Sequence, residues 1–145
     1  ILLPERYNED IRKFKNVAYM LADTHAECAK SLSEKLGEVK YDCVVDQFSA
    51  DKGRLSKAFD GVNVNLVQFH KGESDIAVAL ASVFARAIFL KEWGKMNEKY
   101  SLDFPKGATD VINFGKEFVA KYGQQELYNV AKISFRTTSQ ILSAF

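Results

Sequence analysis

Histidine and cysteine are the rarest side chains in this sequence that could do chemistry, with two of each among 145 residues. A di-iron site in a helical bundle needs Glu-x-x-His on two helices, because each ion takes a carboxylate and an imidazole from an inward face. Neither His25 nor His70 has a glutamate three positions earlier. Asp23, His25 and Glu27 are spaced two apart, so they would point to different sides of a helix. The sequence therefore predicts no metal site, no catalytic residue and no cofactor.

His25 falls on the apolar stripe of the first predicted helix. We expect a buried, neutral imidazole there, and the alternative is a pH-sensitive contact that loosens when the ring is protonated. A bridge between Cys28 and Cys43 is left open. Adjacent helix axes lie roughly 8–10 Å apart, whereas a disulfide needs Cα atoms within roughly 4.4–6.8 Å.

Signatures of phosphate and nucleic-acid binding are weak. Gly94-Lys95 and Gly115-Lys116 lack the upstream glycine and the following Ser or Thr of a phosphate-binding loop. The 20 basic and 19 acidic side chains leave a formal net charge of +1, which provides no overall attraction to a polyanion. Nucleic acid is therefore not predicted as a partner.

Aromatic side chains are abundant, with 11 phenylalanines and 6 tyrosines. They are typical of a filled core, and the alternative is an apolar cavity for a lipid or fatty acid. The phenylalanines predicted to face inward, and so to line such a cavity, are Phe48, Phe59, Phe69, Phe84, Phe114 and Phe118.

Lys91, Lys95 and Lys99 form a row along one edge of the third predicted helix, beside the only tryptophan, Trp93. These four residues are the candidate contacts of an interface. A row of lysines is most often a solvated face, and the alternative is contact with an anionic membrane surface.

The elements that would position these residues are predicted to be helices. Proline is absent from residues 5–104, and apolar residues follow a four-three spacing over 5–36 and again over 41–69. We expect one helix in each stretch, with Gly37 ending the first. Gly53 and Gly61 weaken the second helix, so a break near 50–53 is the alternative.

Three further helices are expected after residue 72. Ser74 and Asp75 are typical of the start of a third helix, which is apolar on nearly all sides and should run, surrounded, to about Tyr100. A loop spans 101–109. A fourth helix begins near Thr109 or Asp110 and ends at Gly123, and a fifth covers 124–145.

Together these patterns predict an all-α fold, an elongated up-and-down antiparallel bundle of four to five helices in a single domain over residues 1–145. The predicted function is that of a soluble, non-enzymatic interaction or structural module that acts through apolar helix faces, with coiled-coil-like packing. Its partner would be another protein or a second copy. The alternatives are a carrier of small hydrophobic ligands and a membrane-surface module. The chain starts at Ile1 without methionine, which fits a processed or excised product, and no localisation signal is evident.

Overall fold

A parallel two-stranded sheet takes the place of the second predicted helix. The structure, a computed structural model, describes residues 1–107 and 110–145. Strand β1 (Tyr41–Asp46) pairs with β2 (Val64–Phe69) in a register from Tyr41 opposite Val64 to Asp46 opposite Phe69. The short helix α3 (Gly53–Ala58) lies between them in the chain. The prediction of an all-α antiparallel bundle is therefore wrong.

The sequence of this region contains strand signals that the four-three spacing obscured. Val62, Val64 and Leu66 alternate with asparagines, the twofold period of a strand. Gly61 has a φ of +73°, which a glycine adopts without strain, and it ends the turn that follows α3. β-branched residues such as Val44 and Val45 fit a pleated surface better than a helix.

The first predicted helix is divided in two, α1 (Pro4–Phe14) and α2 (Val17–Leu36). Lys15 adopts a left-handed φ of 55°, and Asn16 then caps α2 by accepting a hydrogen bond from the Ala18 N–H at 2.8 Å. An asparagine side chain favours this capping position over a helix interior. Helix α2 ends at Gly37 as predicted, with a φ of 68°.

Residues Phe14–Ala87 form one compact unit. Small residues of α2 let the helix lie close to α3, and the OH of Tyr41, on β1, donates to the carbonyl of Ala29 at 2.8 Å. The buried core of this unit consists of Ala22, Ala26, Ala29, Val45, Leu55 and Phe59. Both cysteines are free, with Cys28 exposed and Cys43 half-buried beside this core.

Residues Ile1–Lys13 and Ile88–Phe145 form a second compact unit. It contains α5 (Val111–Tyr122), a 3₁₀ turn at Gln124–Glu126, α6 (Leu127–Val130) and α7 (Arg136–Leu142). Its core consists of Tyr100, Phe104, Phe118, Val119, Leu127 and Ile141. The loop predicted over 101–109 and the start of the fourth helix at Thr109 lie partly outside the described residues, and α5 begins at Val111 and ends at Gly123. The prediction of one domain over 1–145 stays a prediction.

A single buried asparagine explains why the fifth predicted helix, over 124–145, is wrong. The Nδ2 of Asn8 donates to the carbonyls of Tyr128 at 2.9 Å and Ala131 at 2.8 Å, and its Oδ1 accepts from the Ile133 N–H at 3.1 Å. Ala131 is extended, with φ −136° and ψ 154°. The side chain of Asn8 thus satisfies main-chain groups that a continuous helix would have paired internally.

Helix α4 (Ile76–Tyr100) corresponds to the third predicted helix, but the expectation that it is surrounded is wrong. Its large apolar side chains at Ile76, Val83 and Phe84 are 77%, 64% and 66% exposed. In the described part of the chain, no helix combines the length and the apolar character that crossing a bilayer requires.

Candidate active site

The carboxyl ends of β1 and β2 meet at one edge of the sheet, since the strands are parallel. In open α/β structures this edge is where ligands bind. Strand β1 ends on Asp46, whose side chain is exposed, and β2 ends on Phe69. The ladder continues one residue further through the Gln47 N–H, which donates to the Phe69 carbonyl at 3.0 Å. Asp46 is therefore held on a fixed backbone.

The segment after β2 turns back onto Asp46. The N–H of Gly72 donates to Asp46 Oδ1 at 2.9 Å, although the two residues are 26 positions apart. Gly72 is buried and starts a 3₁₀ turn, Gly72–Ser74, which contains the exposed Glu73. This contact brings the backbone that carries Glu73 to the end of β1.

The backbone of Lys71 stabilises the start of this turn. It adopts a left-handed φ of 58°, which is uncommon for a residue with a side chain. Its carbonyl accepts from the N–H of Ser74 at 3.1 Å and from the hydroxyl of Ser74 at 3.0 Å. Its side chain is exposed, so a cation lies two residues before Glu73 in the chain.

Asp75 has a different task from its acidic neighbour Glu73. Its Oδ1 accepts from the N–H groups of Ala77 at 2.8 Å and Val78 at 3.4 Å, so Asp75 is the cap of α4. Glu73 has no such bond among the described residues.

Asp51, beside the start of α3, is also exposed, but its Oδ1 accepts from the Gly53 N–H at 2.9 Å and its Oδ2 lies 3.3 Å from Arg54. The exposed carboxylates of this edge without such bonds are therefore those of Asp46, through its second oxygen, and Glu73.

These two side chains are the type of ligand that a hard divalent cation binds, because Mg²⁺ and Mn²⁺ take carboxylate oxygens as ligands. With Oδ1 of Asp46 bonded to Gly72, its second oxygen remains available. Among the described residues no cluster of three or more His, Cys, Asp or Glu side chains could hold a metal ion. The donors fit such an ion, and they make up part of a ligand set.

Basic residues of α3 lie at the same edge. The Nε2 of Gln68, on β2, donates to the Lys52 carbonyl at 3.3 Å and so ties the start of α3 to the end of the sheet. Arg54 lies 3.3 Å from an oxygen of Asp51, and its guanidinium packs over the Tyr19 ring with 5.0 Å to the centroid. The side chain of Lys52 is exposed.

A family model described as Ribonuclease HII matches residues 2–138. The chain belongs to the ribonuclease HII family. It is 36% identical to Ribonuclease HIII of Chlamydia pneumoniae over 147 residues, which cover 99% of this chain and 49% of that protein. It is 34% identical to Ribonuclease HIII of Protochlamydia amoebophila over 141 residues, 96% of this chain and 46% of that protein. The chain thus spans about half the length of the curated relatives it matches.

Solved structures of the family have the same fold as this chain. The crystal structure of Bst-RNase HIII in complex with Mn²⁺ superposes with a TM-score of 0.86 at 24% identity, over 99% of this chain and 48% of that one. The crystal structure of a point mutant of Bst-RNase HIII gives a TM-score of 0.86 at 23% identity, over 98% of this chain and 48% of that one. The strands and helices described above are therefore those of the ribonuclease HII/HIII fold.

Membership of the ribonuclease HII family overturns the functional predictions. The family consists of enzymes that act on RNA, so the prediction of a non-enzymatic module acting through apolar helix faces is wrong, and so is the exclusion of nucleic acid. The alternatives of a carrier for small hydrophobic ligands and of a membrane-surface module are wrong for the same reason.

The residues of the predicted interface lie on α4 within the unit 1–13 and 88–145. Trp93 is half-buried and its Nε1 donates to the Phe104 carbonyl at 3.1 Å. Lys91 is exposed, Lys95 pairs with Glu92 at 2.7 Å, and Lys99 lies over the Tyr100 ring. Their role as contacts stays a prediction.

The six phenylalanines do not share one location. Phe59 is buried in the core of residues 14–87, with Phe48 against it, whereas Phe114 and Phe118 pack in the other unit. Phe69 ends β2, and Phe84 is exposed on α4. Their division between two units offers no support for a common cavity.

His25 is exposed on α2, at the margin of the core of residues 14–87. Its ring stacks on Phe48, with 5.5 Å between centroids and 15° between planes. The residue as a whole is exposed, so the expectation of a buried imidazole is wrong. The contact of the ring with this apolar neighbour still removes enough water to lower the pKa of His25 below its ordinary value. A pH-sensitive contact at His25 stays a prediction.

Sequence reasoning missed Asp46 and Glu73 because it looked for metal ligands around histidines and placed Asp46 inside a helix. A signal was present in the letters Val44-Val45-Asp46, a β-branched pair that ends on a carboxylate. Once the strands are recognised, acidic residues that follow them become candidates, since strand ends position ligand-binding side chains.

Proposed function

We propose that this chain carries part of the active site of a ribonuclease that cleaves the RNA strand of an RNA/DNA hybrid with the help of a divalent cation. Membership of the ribonuclease HII family supports the reaction class. The observation that carries the site is the hydrogen bond from Gly72 to Asp46, because it brings the backbone next to Glu73 against the Asp46 carboxylate. The Mn²⁺ in the crystal structure of Bst-RNase HIII agrees with that donor chemistry.

Asp46 and Glu73 would hold the cation. A bound divalent ion supplies an activated water and neutralises the charge that develops on the phosphate during hydrolysis. Asp46 contributes the oxygen that Gly72 leaves available, from a backbone fixed by the β1–β2 ladder. The relatives are about twice as long as this chain, and we place the remaining ligands on the part of their length that this chain does not match.

Lys71 and Lys52 would meet the phosphates of the substrate. Both side chains are exposed, Lys71 two residues before Glu73 and Lys52 at the start of α3. Contacts of lysine with the phosphate backbone give affinity without reading sequence. The net charge of +1 is compatible with this arrangement, since a local pair of cations is enough for a contact.

The test is a cleavage assay with the natural protein that carries this sequence, on an RNA/DNA hybrid labelled in the RNA strand. We expect cleavage in Mg²⁺ or Mn²⁺ and none in excess EDTA. Asp46→Asn and Glu73→Gln keep size and shape but remove a ligand charge, and each should lower the rate at least about 100-fold, the upper range for groups that merely support metal ligands.

Asp60→Asn is the matched control, because Asp60 is an exposed acidic residue of the turn after α3. It should cleave at the rate of the parent. Rates within twofold of the parent for both Asp46→Asn and Glu73→Gln would remove these residues from the site. Equal cleavage of duplex DNA would refute the proposed substrate.

A further inference from the structure

The contact between Gly72 and Asp46 leaves no room for a side chain. A Cβ placed on Gly72 would lie 2.8 Å from the Cα and 2.9 Å from the Cβ of Asp46, and 3.2 Å from its main-chain nitrogen. Ordinary contacts of this kind are 3.4–4 Å long. A Cβ would therefore push the two segments apart by about 0.6 Å, the difference between 3.4 and 2.8 Å.

Hydrogen bonds hold the backbone on both sides of this contact. Asp46 is the last paired residue of β1, and its neighbour Gln47 is still bonded to Phe69. Gly72 is held by its own turn, since its carbonyl accepts from the N–H of Asp75 at 2.9 Å, and Asp75 caps α4. A displacement would therefore move the turn that contains Glu73, rather than a flexible side chain.

From this geometry we propose that Gly72 is a positioning residue of the active site: it sets the separation between the Asp46 and Glu73 carboxylates. It does so in two ways, by the absence of a side chain and by the N–H that fixes the rotation of the Asp46 carboxylate. The inference rests on the function proposed above, because it assumes that both carboxylates bind one cation.

A fixed separation matters more for a small cation than for a large one. Mg²⁺ demands near-ideal octahedral geometry at roughly 2.0–2.1 Å, whereas Ca²⁺ accepts irregular geometry at roughly 2.3–2.6 Å. A shift of about 0.6 Å, worked out above from the Cβ contacts, is at least as large as the difference between those bond lengths, which is roughly 0.2–0.6 Å. Widening the site should therefore weaken Mg²⁺ and Mn²⁺ more than Ca²⁺.

The experiment measures cation affinity in the natural protein that carries this sequence, without substrate. Mn²⁺ binding is followed by the loss of the free-ion signal in electron paramagnetic resonance, and Mg²⁺ and Ca²⁺ by competition. We expect Gly72→Ala to weaken Mn²⁺ binding at least about tenfold, the range for groups that orient metal ligands. Ca²⁺ binding should fall less, so the Mn²⁺ to Ca²⁺ affinity ratio should drop.

Gly94→Ala is the matched control. Gly94 lies inside α4, and a Cβ there meets nothing within 4 Å. It should leave every cation affinity unchanged. A merely structural effect of Gly72→Ala would lower all affinities together and leave their ratio constant, and that result would overturn the proposal.

Failure of the site and failure of this inference give different results. If Asp46→Asn leaves Mn²⁺ affinity unchanged, the proposed site itself is wrong. If Asp46→Asn weakens binding but Gly72→Ala leaves the affinities and their ratio unchanged, only the role of Gly72 is wrong. Should Gly72→Ala fail to fold, Glu73→Asp tests the same distance, since it withdraws one carboxylate by a methylene while retaining Gly72. It should lower the Mn²⁺ to Ca²⁺ ratio, and an unchanged ratio would overturn the proposal.

Discussion

Replacing Asn8 with alanine should destabilise the unit formed by residues 1–13 and 88–145. Asn8 is fully buried, with 0% of its surface exposed. Its side chain makes three hydrogen bonds of 2.8–3.1 Å to the main chain around α6, two as donor and one as acceptor. Alanine would leave two carbonyls and one N–H without these partners.

The expected loss follows from the number of bonds. A hydrogen bond contributes about 0.5–1.5 kcal/mol net, and leaving its partner buried and unpaired costs more than that average. Three bonds therefore give about 2–4 kcal/mol in the free energy of unfolding. With a urea dependence near 2 kcal/mol per molar, the midpoint of unfolding should fall by about 1–2 M.

The assay can follow this unit because it contains the only tryptophan of these 145 residues. Trp93 is half-buried and its Nε1 donates to the Phe104 carbonyl, so its fluorescence reports the unfolding of this unit. Asn113→Ala, at an exposed position of α5, is the control and should stay within about 0.5 kcal/mol of the parent. A urea midpoint for Asn8→Ala equal to that of Asn113→Ala would refute the reasoning.

Two further predictions concern the two cores. Gly115→Ala places a Cβ 2.3 Å from Cδ1 of Ile141 across the α5–α7 contact, so it should destabilise by about 1–3 kcal/mol through overpacking. The shorter side chain in Gly115→Ala/Ile141→Val should recover part of that loss in urea unfolding, and additive losses would contradict the contact. Phe48→Ala should raise the pKa of His25 toward its ordinary value, because the burial that lowers it is reduced. A lowered histidine pKa leaves the full stability in place above the unfolded pKa of about 6.5, where the ring is neutral in both states, and costs stability as the pH falls below it, because the unfolded state takes up the proton first. In Phe48→Ala the stability should therefore depend less on pH between about 7 and 5; an NMR titration that gives the same His25 pKa in both proteins would exclude this cause.

Several element ends could be predicted because a single residue decides them. Gly37 ends α2 with a φ of 68°, and Gly123 ends α5 with a φ of 88°. Both conformations are strained for any residue with a Cβ, so the letter itself carries the information. The break at Asn16 was also readable, as a capping residue within an otherwise periodic stretch.

The ends of α6 could not be predicted from the local sequence. The stretch 124–145 keeps a helical apolar spacing, yet the chain turns at Ala131 because Asn8, 123 positions earlier, binds its carbonyl. A contact over that separation leaves no trace in a window of neighbouring residues. The prediction that α4 is surrounded by other elements was also wrong. An apolar pattern shows which residues are suited to burial, but it does not show whether other elements pack against them, and Phe84 is exposed.

The candidate site could not be predicted once residues 41–69 were assigned to one helix, because that helix would separate Asp46 from Gly72. At 1.5 Å per residue, the 26 positions between Asp46 and Gly72 would span about 39 Å in a continuous helix. The strand–helix–strand path returns the chain to its starting edge and brings the same two residues to 2.9 Å. Nothing in the chemistry of Asp46 distinguishes it from the other 18 acidic residues. Asp46 is recognised as a candidate ligand only if the stretch 41–69 is interpreted with the period of 2 of a strand rather than the period of 3.6 of a helix. A search for catalytic carboxylates should therefore consider both periods.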